Sequence, residues 1–138
     1  MTPESFKTAL LDAKQSLTDT MTDREMHLAA AADAADRIVQ LRRTIVSLSV
    51  LCNEPTELEA IGITDSIRSV MGSAQAGLTV REVREALATQ GFDLTTQKNA
   101  DAAITVVLNR LAEAGEIRKG EVTRAGKTVA GYAGPKVR

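Results

Sequence analysis

The chain has 138 residues and a formal net charge of -1, and hydrophobic residues make up 43% of it. This is the composition of a globular protein and excludes general disorder, while a net charge near zero gives no overall sign of nucleic-acid binding. Only 2% of the residues are aromatic, so the core must be built mainly from aliphatic side chains and alanine. That composition favours helices, and we expect a mostly α-helical fold.

The cysteine content and the lack of long apolar stretches indicate the compartment. Cys52 is the only cysteine, so no disulfide can form within the chain, and a reducing environment is the simplest interpretation. No stretch approaches the roughly 20 apolar residues that a membrane helix needs. The first residues also lack a basic and then apolar leader. We expect a cytoplasmic protein without membrane contact.

Residues 1–57 are predicted to form a helical rod. Thr2 can cap a helix, Pro3 suits its first position, and neither Gly nor a further Pro follows until Pro55. This leaves about 50 helical residues, or roughly 75 Å at 1.5 Å per residue. Ordinary globular helices run to roughly 8–20 residues, so a helix of this length needs a partner helix.

Apolar residues recur along the rod at coiled-coil spacing. The rows are Phe6, Leu10, Ala13 and Leu17; then Met21, Leu28 and Ala35; then Ile38, Ile45 and Cys52. We therefore predict self-association through residues 3–53, with Cys52 as a small core residue. The sequence leaves parallel and antiparallel pairing open. The rows fall out of phase near residues 18–24, where Thr22 to Glu25 also matches a capping box, so a rod folded back as a hairpin is the alternative.

Residues 58–138 are predicted to form a second domain of three helices followed by a β-hairpin. Thr64 caps a helix of about ten residues, a capping box at Thr79 to Glu82 opens a second helix that ends at Gln90, and a third runs from Asn99 to Ala114. Leu78 is a short extended segment before the second helix. Strands at 116–119 and 128–132 are joined by a loop at 120–127. On the third helix, the residues expected to face the core are Ile104, Val107, Leu108 and Leu111.

This region resembles the winged helix-turn-helix domains of bacterial proteins. The resemblance covers about residues 62–134 and rests on Gly62 to Ile67, Leu78 to Val83, Gly91 to Leu94 and Val107 to Ile117. In such proteins Leu-Thr-x-x-Glu-(Ile/Val) opens the second helix, and Leu-x-x-Leu-x-x-x-Gly-x-(Ile/Val) joins the recognition helix to the wing. The resemblance implies a third helix that enters a DNA groove, with a β-hairpin wing beside it. The N-terminal rod resembles no family.

The resemblance also indicates which residues would bind DNA. They are Lys98, Asn99, Thr105, Asn109 and Arg110 around the third helix, Arg118, Lys119, Arg124 and Lys127 in and beside the wing, and Thr79 and Arg81 at the start of the second helix. Asparagine can pair with adenine, basic side chains can reach phosphate, and a helix N-terminus favours an anion. The last 23 residues carry six basic and two acidic side chains, a balance of +4. A simpler interpretation is that Thr79 only caps its helix and that the basic residues only belong to a solvated loop.

The sequence is compatible with two functions. The first is a DNA-binding transcriptional regulator or chromosome-associated factor, made oligomeric by the rod. The second is a structural or adaptor protein, because Ala102 and Val106 would form an apolar stripe suited to a protein partner, and Asp101 and Glu113 would repel phosphate. We expect neither an enzyme nor a cofactor, since the single histidine, His27, has no catalytic companions and no Gly-rich phosphate loop is present.

Overall fold

The computed structural model describes residues 2–95 and 97–138. Within these residues the helices are α1 (Pro3–Leu51), α2 (Ile63–Ser73), α3 (Val80–Ala88) and α4 (Ala100–Glu113), with a short 3-10 turn at Glu59–Ile61. Two strands follow, β1 (Arg118–Arg124) and β2 (Lys127–Ala133). The prediction of a mostly helical protein with a small C-terminal β-hairpin is confirmed. Contacts group the chain into two compact units, Met1–Ile38 and Val39–Arg138.

Helix α1 is one continuous element of 49 residues. The Thr2 hydroxyl accepts a hydrogen bond from the backbone N–H of Ser5 (3.3 Å), as a helix cap should. The hairpin alternative is not adopted, because Thr22 donates its hydroxyl to the carbonyl of Thr18 (3.1 Å) and does not cap a new helix. The helix ends before Asn53, whose φ is +54°. Cys52 lies just past the end of α1 and is exposed in the single chain, so its place in the core of a self-associated rod stays a prediction.

The unit Met1–Ile38 has no buried core among its described residues. Every described side chain in it is exposed, including large apolar ones. The large apolar side chains are Phe6, Leu10, Leu11, Leu17, Met21, Met26, Leu28 and Ile38. Burying one such side chain fully is worth roughly 1.5–3 kcal/mol. A single helix cannot gain this stabilisation, because it has no second surface against which to bury these side chains.

The unit Val39–Arg138 holds the hydrophobic core of the described residues. Helices α2, α3 and α4 contribute most of it, and Phe92, Leu94, Ile117 and Tyr132 complete it. The four residues predicted to face inward from the third helix are all buried, with Ile104 and Leu108 at 0% exposure. The predicted helices are confirmed to within a few residues, but Thr64 lies inside α2, which begins at Ile63 with Gly62 as its N-cap. A periodicity of 3.6 residues was sufficient to identify the buried face.

The strands β1 and β2 pair antiparallel from Arg118↔Ala133 to Arg124↔Lys127. The predicted loop at 120–127 is therefore wrong, because most of it is strand. The turn is only two residues long, Ala125 (φ +52°) and Gly126 (φ +76°), and two positive φ values match the twist of the flanking strands. Leu78 exchanges two backbone hydrogen bonds with Tyr132, both 2.8 Å, so the predicted extended segment before α3 lies against β2.

The last turns of α1 pack within the second unit. Val46 is 4% exposed, and the guanidinium of Arg42 lies 4.9 Å from the centre of the Phe92 ring. Arg42 also donates to the carbonyls of Ile61 (2.7 Å) and Gln90 (3.3 Å). The contacts therefore group residues 39–51 with the C-terminal unit. The sequence predicted the domain boundary at residue 57. Cation–π and carbonyl contacts of this kind leave no periodic signal in a sequence.

Candidate nucleic-acid interface

Helix α4 presents an exposed face opposite its buried one. Val106 is 57% exposed, and Ala102 on the preceding turn is exposed too. Lys98 and Asn99 lie exposed at the start of the helix, where Asn99 is the N-cap residue without a side-chain capping bond. The structure thus places these two candidate residues at the positive end of α4, where their donors are accessible.

Two further candidates on α4 are engaged within the chain. Thr105 donates its hydroxyl to the carbonyl of Asp101 (2.7 Å). Arg110 lies 3.9 Å from a carboxylate oxygen of Glu59. Both side chains of that ion pair are more than half exposed, so the interaction is weak and can exchange for another anion. Asp101, which would repel phosphate, is itself paired with Arg84 at 2.9 Å.

Asn109 has a structural partner that the sequence did not reveal. Its Oδ1 accepts a hydrogen bond from the Tyr132 hydroxyl at 2.6 Å, which ties α4 to β2. Burial raises the pKa of the Tyr132 hydroxyl above its ordinary value, so this hydroxyl keeps its proton and donates. Bidentate recognition of adenine uses both the oxygen and the nitrogen of an asparagine amide. Asn109 could read adenine in that way only after giving up Tyr132.

A shallow cleft lies between the end of α4 and the start of β1. It is lined by Asn109, Ala112, Glu113, Gly115, Ile117, Arg118 and Lys119. Lys119 is the register partner of Tyr132, so its side chain leaves the hairpin on the same face as Tyr132, toward α4. The cleft therefore combines amide, ammonium and guanidinium donors, with Glu113 as its acidic member.

The start of α3 carries the predicted capping box. The Thr79 hydroxyl accepts from the N–H of Glu82 (3.2 Å), and the N–H of Thr79 donates to the Glu82 carboxylate (2.9 Å). Arg124 of β1 lies 3.0 Å from the same carboxylate and donates to the carbonyl of Gly77 (2.8 Å). The predicted anion site at Thr79 is thus filled by the chain's own Glu82, and Arg124 is neutralised there. No spacing rule could reveal a pair 42 residues apart.

The other candidate DNA-binding residues differ in whether a group of the same chain already binds them. Arg81 pairs with Glu85 on the exposed side of α3 (3.4 Å), and Arg118 donates to the carbonyl of Val137 (2.6 Å). Lys98, Lys119 and Lys127 are exposed. In the part of the chain that the structure describes, none of these three lysines forms an ion pair. They are the candidate cations most available to a phosphate.

The Glu82 network yields a prediction about pH. Hydrogen bonding from the backbone of Thr79, and then from Arg124, lowers the pKa of the Glu82 carboxyl below its ordinary value of 4.5. A group with a lowered folded pKa stabilises the fold above its unfolded pKa, and this is lost as pH falls through the folded value. We expect Glu82→Gln to be less stable than the unsubstituted protein by no more than about 1 kcal/mol at pH 7, and equally stable in acid. Urea unfolding at pH 7 and pH 3 measures this.

The matched control for that experiment is Glu85→Gln. Glu85 lies on the same helix in a more exposed ion pair, with 64% of its side chain exposed, so its substitution should change stability less at pH 7. Glutamine can still complete a capping box at position 82, which isolates the charge from the cap. A Glu82→Gln protein whose stability deficit persists unchanged at pH 3 would contradict the assigned role of the carboxylate.

No protein-family model, no curated protein and no solved structure matches this chain. Among residues 2–95 and 97–138, no cluster of three or more His, Cys, Asp or Glu side chains is placed to hold a metal ion. No helix within those residues combines the length and the apolar character needed to cross a membrane.

Proposed function

We propose that this chain is a DNA-binding protein whose C-terminal unit is a winged helix-turn-helix domain and whose α1 links copies of it. In this proposal α3 and α4 are the helix-turn-helix, α4 is the recognition helix and the β1–β2 hairpin is the wing. The biological role would be transcriptional regulation or chromosome association.

One observation carries the proposal. Three short helices and a terminal hairpin enclose a single core, and Leu78, just before α3, pairs with Tyr132 of the hairpin. This is the element order of a winged helix, including its short strand between the first two helices. Helix α4 buries one face and exposes the other, as a helix that reads a groove must. A fold alone does not establish a function. The proposal therefore also depends on the charged side chains that α4 and the hairpin expose.

The exposed lysines supply the phosphate contacts in this proposal. Lys98 lies just before α4, Lys119 lies near the start of β1, and Lys127 follows the hairpin turn. Arg81, Arg110 and Arg124 each have an acidic partner within the chain, so they add less. A domain with so few free cations binds DNA weakly alone, and linking two domains through α1 raises the effective concentration of the second.

The test is a charge reversal on the hairpin. Lys119→Glu with Lys127→Glu should greatly weaken binding to random duplex DNA, and the log–log dependence of affinity on salt should become shallower by about 2. Both side chains are exposed, so the fold should be unchanged. Fluorescence anisotropy of a labelled duplex across a salt series measures both quantities. Arg124 is left in place because its pairing with Glu82 is structural.

The matched control is Lys14→Glu with Arg43→Glu, which makes the same change in net charge at exposed positions of α1. It should retain most of the affinity, and light scattering on both proteins checks that their self-association is unaltered. If the unsubstituted chain binds no duplex at low salt, or both double variants lose affinity equally, the DNA proposal fails.

The second candidate function is an adaptor that contacts protein through α4. Val106, at 57% exposure next to Ala102, is the observation that favours it, because an exposed apolar stripe is suited to a protein interface. Val106→Arg distinguishes the two functions. It should abolish capture of a protein partner but leave DNA affinity equal or higher, since it adds a cation to the groove-facing side.

A further inference from the structure

We propose that two copies of α1 pair antiparallel, with their crossing point between His27 and Ala31. This inference rests on the self-association that belongs to the proposed function, and it names the partner as a second copy of this chain. It is argued from residues 20–38 of the unit Met1–Ile38, all of which are exposed and helical.

Two rows of residues, each repeating every seven positions, run along the whole unit without a change of phase and define the contact stripe, with the row of Met21, Leu28 and Ala35 on its flank. One row holds Leu10, Leu17, Arg24, Ala31 and Ile38, and the other holds Phe6, Ala13, Thr20, His27 and Ala34. They stand four and three residues apart, which is the spacing of the two core positions of a coiled coil. The rows are apolar at both ends of the unit, and Thr20, Arg24 and His27 interrupt them in the middle.

The interruption argues against a parallel pair. In a parallel pair in register, each core residue faces the same residue of the second copy. Arg24 would then face Arg24, and two guanidinium groups would lose water beside a like charge. His27 would likewise face His27 one layer further on. No compensating acidic residue occupies either row.

An antiparallel pair removes this conflict because each row then faces the other row. Arg24 faces Ala34 of the second copy, His27 faces Ala31, and Thr20 faces Ile38. Each large polar side chain thus meets an alanine, which leaves room for it to extend along the helix toward water. The alanines also permit the helices to approach closely.

Charge complementarity selects one antiparallel register. Asp23 and Arg37 both lie on the same flank of the stripe, each one position before a core residue. In the register above, Asp23 faces Arg37 of the second copy, and Arg37 faces Asp23, so two ion pairs form. On the opposite flank Leu28 lies beside Leu28 of the second copy. Sliding the helices by seven residues in either direction separates Asp23 from Arg37.

Disulfide crosslinking in the full chain tests the pairing. In a Cys52→Ser background, Thr20→Cys and Ile38→Cys proteins are prepared separately, one with a size tag, and oxidised alone and as a mixture. Only the mixture should form a crosslinked dimer. Positions 20 of two antiparallel copies lie about 27 Å apart at 1.5 Å per residue, and a disulfide needs Cα atoms within about 7 Å.

Each other outcome overturns the inference in a recognisable way. Crosslinking of either single variant with itself means a parallel pair, so self-association would stand and the antiparallel arrangement would fall. No crosslinking together with monomeric light scattering means that self-association fails as well. DNA affinity, measured separately, does not enter either result.

A charge exchange provides an independent readout. Asp23→Arg and Arg37→Asp should each weaken the dimer severalfold, because each places like charges opposite one another, and the double variant should restore the dimer's dissociation constant. In a parallel pair residues 23 and 37 are 14 residues, about 21 Å, apart. A double variant that dimerises no better than the singles would therefore overturn the register.

Discussion

Leu108→Asp should unfold the C-terminal unit, while Val106→Asp on the same helix should hardly affect it. Leu108 is 0% exposed in the core, and Val106 is 57% exposed. Loss of the leucine packing costs about 2–5 kcal/mol, and an unpaired buried carboxylate adds several more. A domain is typically stable by only about 5–15 kcal/mol, so little or no folded unit should remain at 37 °C.

Tyrosine fluorescence during urea unfolding measures this effect. Tyr132 is the only tyrosine, there is no tryptophan, and Tyr132 is buried in the core, so the signal reports on this unit. Val106→Asp should shift the free energy of unfolding by no more than about 0.5 kcal/mol. Equal unfolding curves for the two variants would mean that the buried face of α4 has been assigned wrongly.

Arg42→Met should destabilise the C-terminal unit by about 2 kcal/mol or more, although Arg42 lies on α1. Its guanidinium donates to the carbonyls of Ile61 and Gln90 and covers the ring of Phe92. Hydrogen bonds to a charged group are worth about 1.5–3 kcal/mol, and the cation–π contact adds to them. Methionine keeps the aliphatic stem and removes only the charge and the donors.

Arg43→Met is the natural comparison because it makes the same chemical change one residue later. Arg43 is exposed and should tolerate the substitution with a change within about 0.5 kcal/mol. Urea midpoints from tyrosine fluorescence compare the two. If both variants unfold at the same midpoint, the contacts of Arg42 with Ile61, Gln90 and Phe92 do not contribute to the stability of this unit.

Gly91 permits the close approach of α1 to the turn that follows α3. Its φ is +97°, and a Cβ at this position would meet the carbonyl oxygen of Val39 at 2.6 Å. Only glycine combines this backbone conformation with such an approach. Gly91 directly follows the predicted end of the second helix at Gln90, and α3 ends shortly before it, at Ala88. Its role in bringing another segment of the chain near depends on residues more than 50 positions away.

Local signals determined the helices of this protein. The uninterrupted stretch after Pro3 predicted α1, the spacing of Ile104, Val107, Leu108 and Leu111 predicted the buried face of α4, and Thr79 with Glu82 predicted the cap of α3. Each of these depends on residues within a few positions of one another, where propensity, capping and periodicity act. Such local signals can be recognised in a short stretch of sequence without knowledge of the tertiary structure.

The hairpin was the clearest local failure. Its turn was missed because Ala125 adopts φ +52°, a conformation that is uncommon for alanine, so the strands were predicted too short. The pairing of β1 with β2 overrode the local pattern there.

The state of two candidate residues at the interface was decided by tertiary structure. Sequence identified Arg124 and Asn109 as available to DNA, but folding brings Glu82 to Arg124 and Tyr132 to Asn109. Among the candidate DNA-binding residues, exposed Lys98, Lys119 and Lys127 remain as cations without an ion pair in the part of the chain that the structure describes. The sequence by itself determined which side chains could donate to an anion. For Asn109 and Arg124, whether they are still free depends on contacts with residues 23 and 42 positions away, because charged and polar groups pair with whatever partner the packed core places beside them.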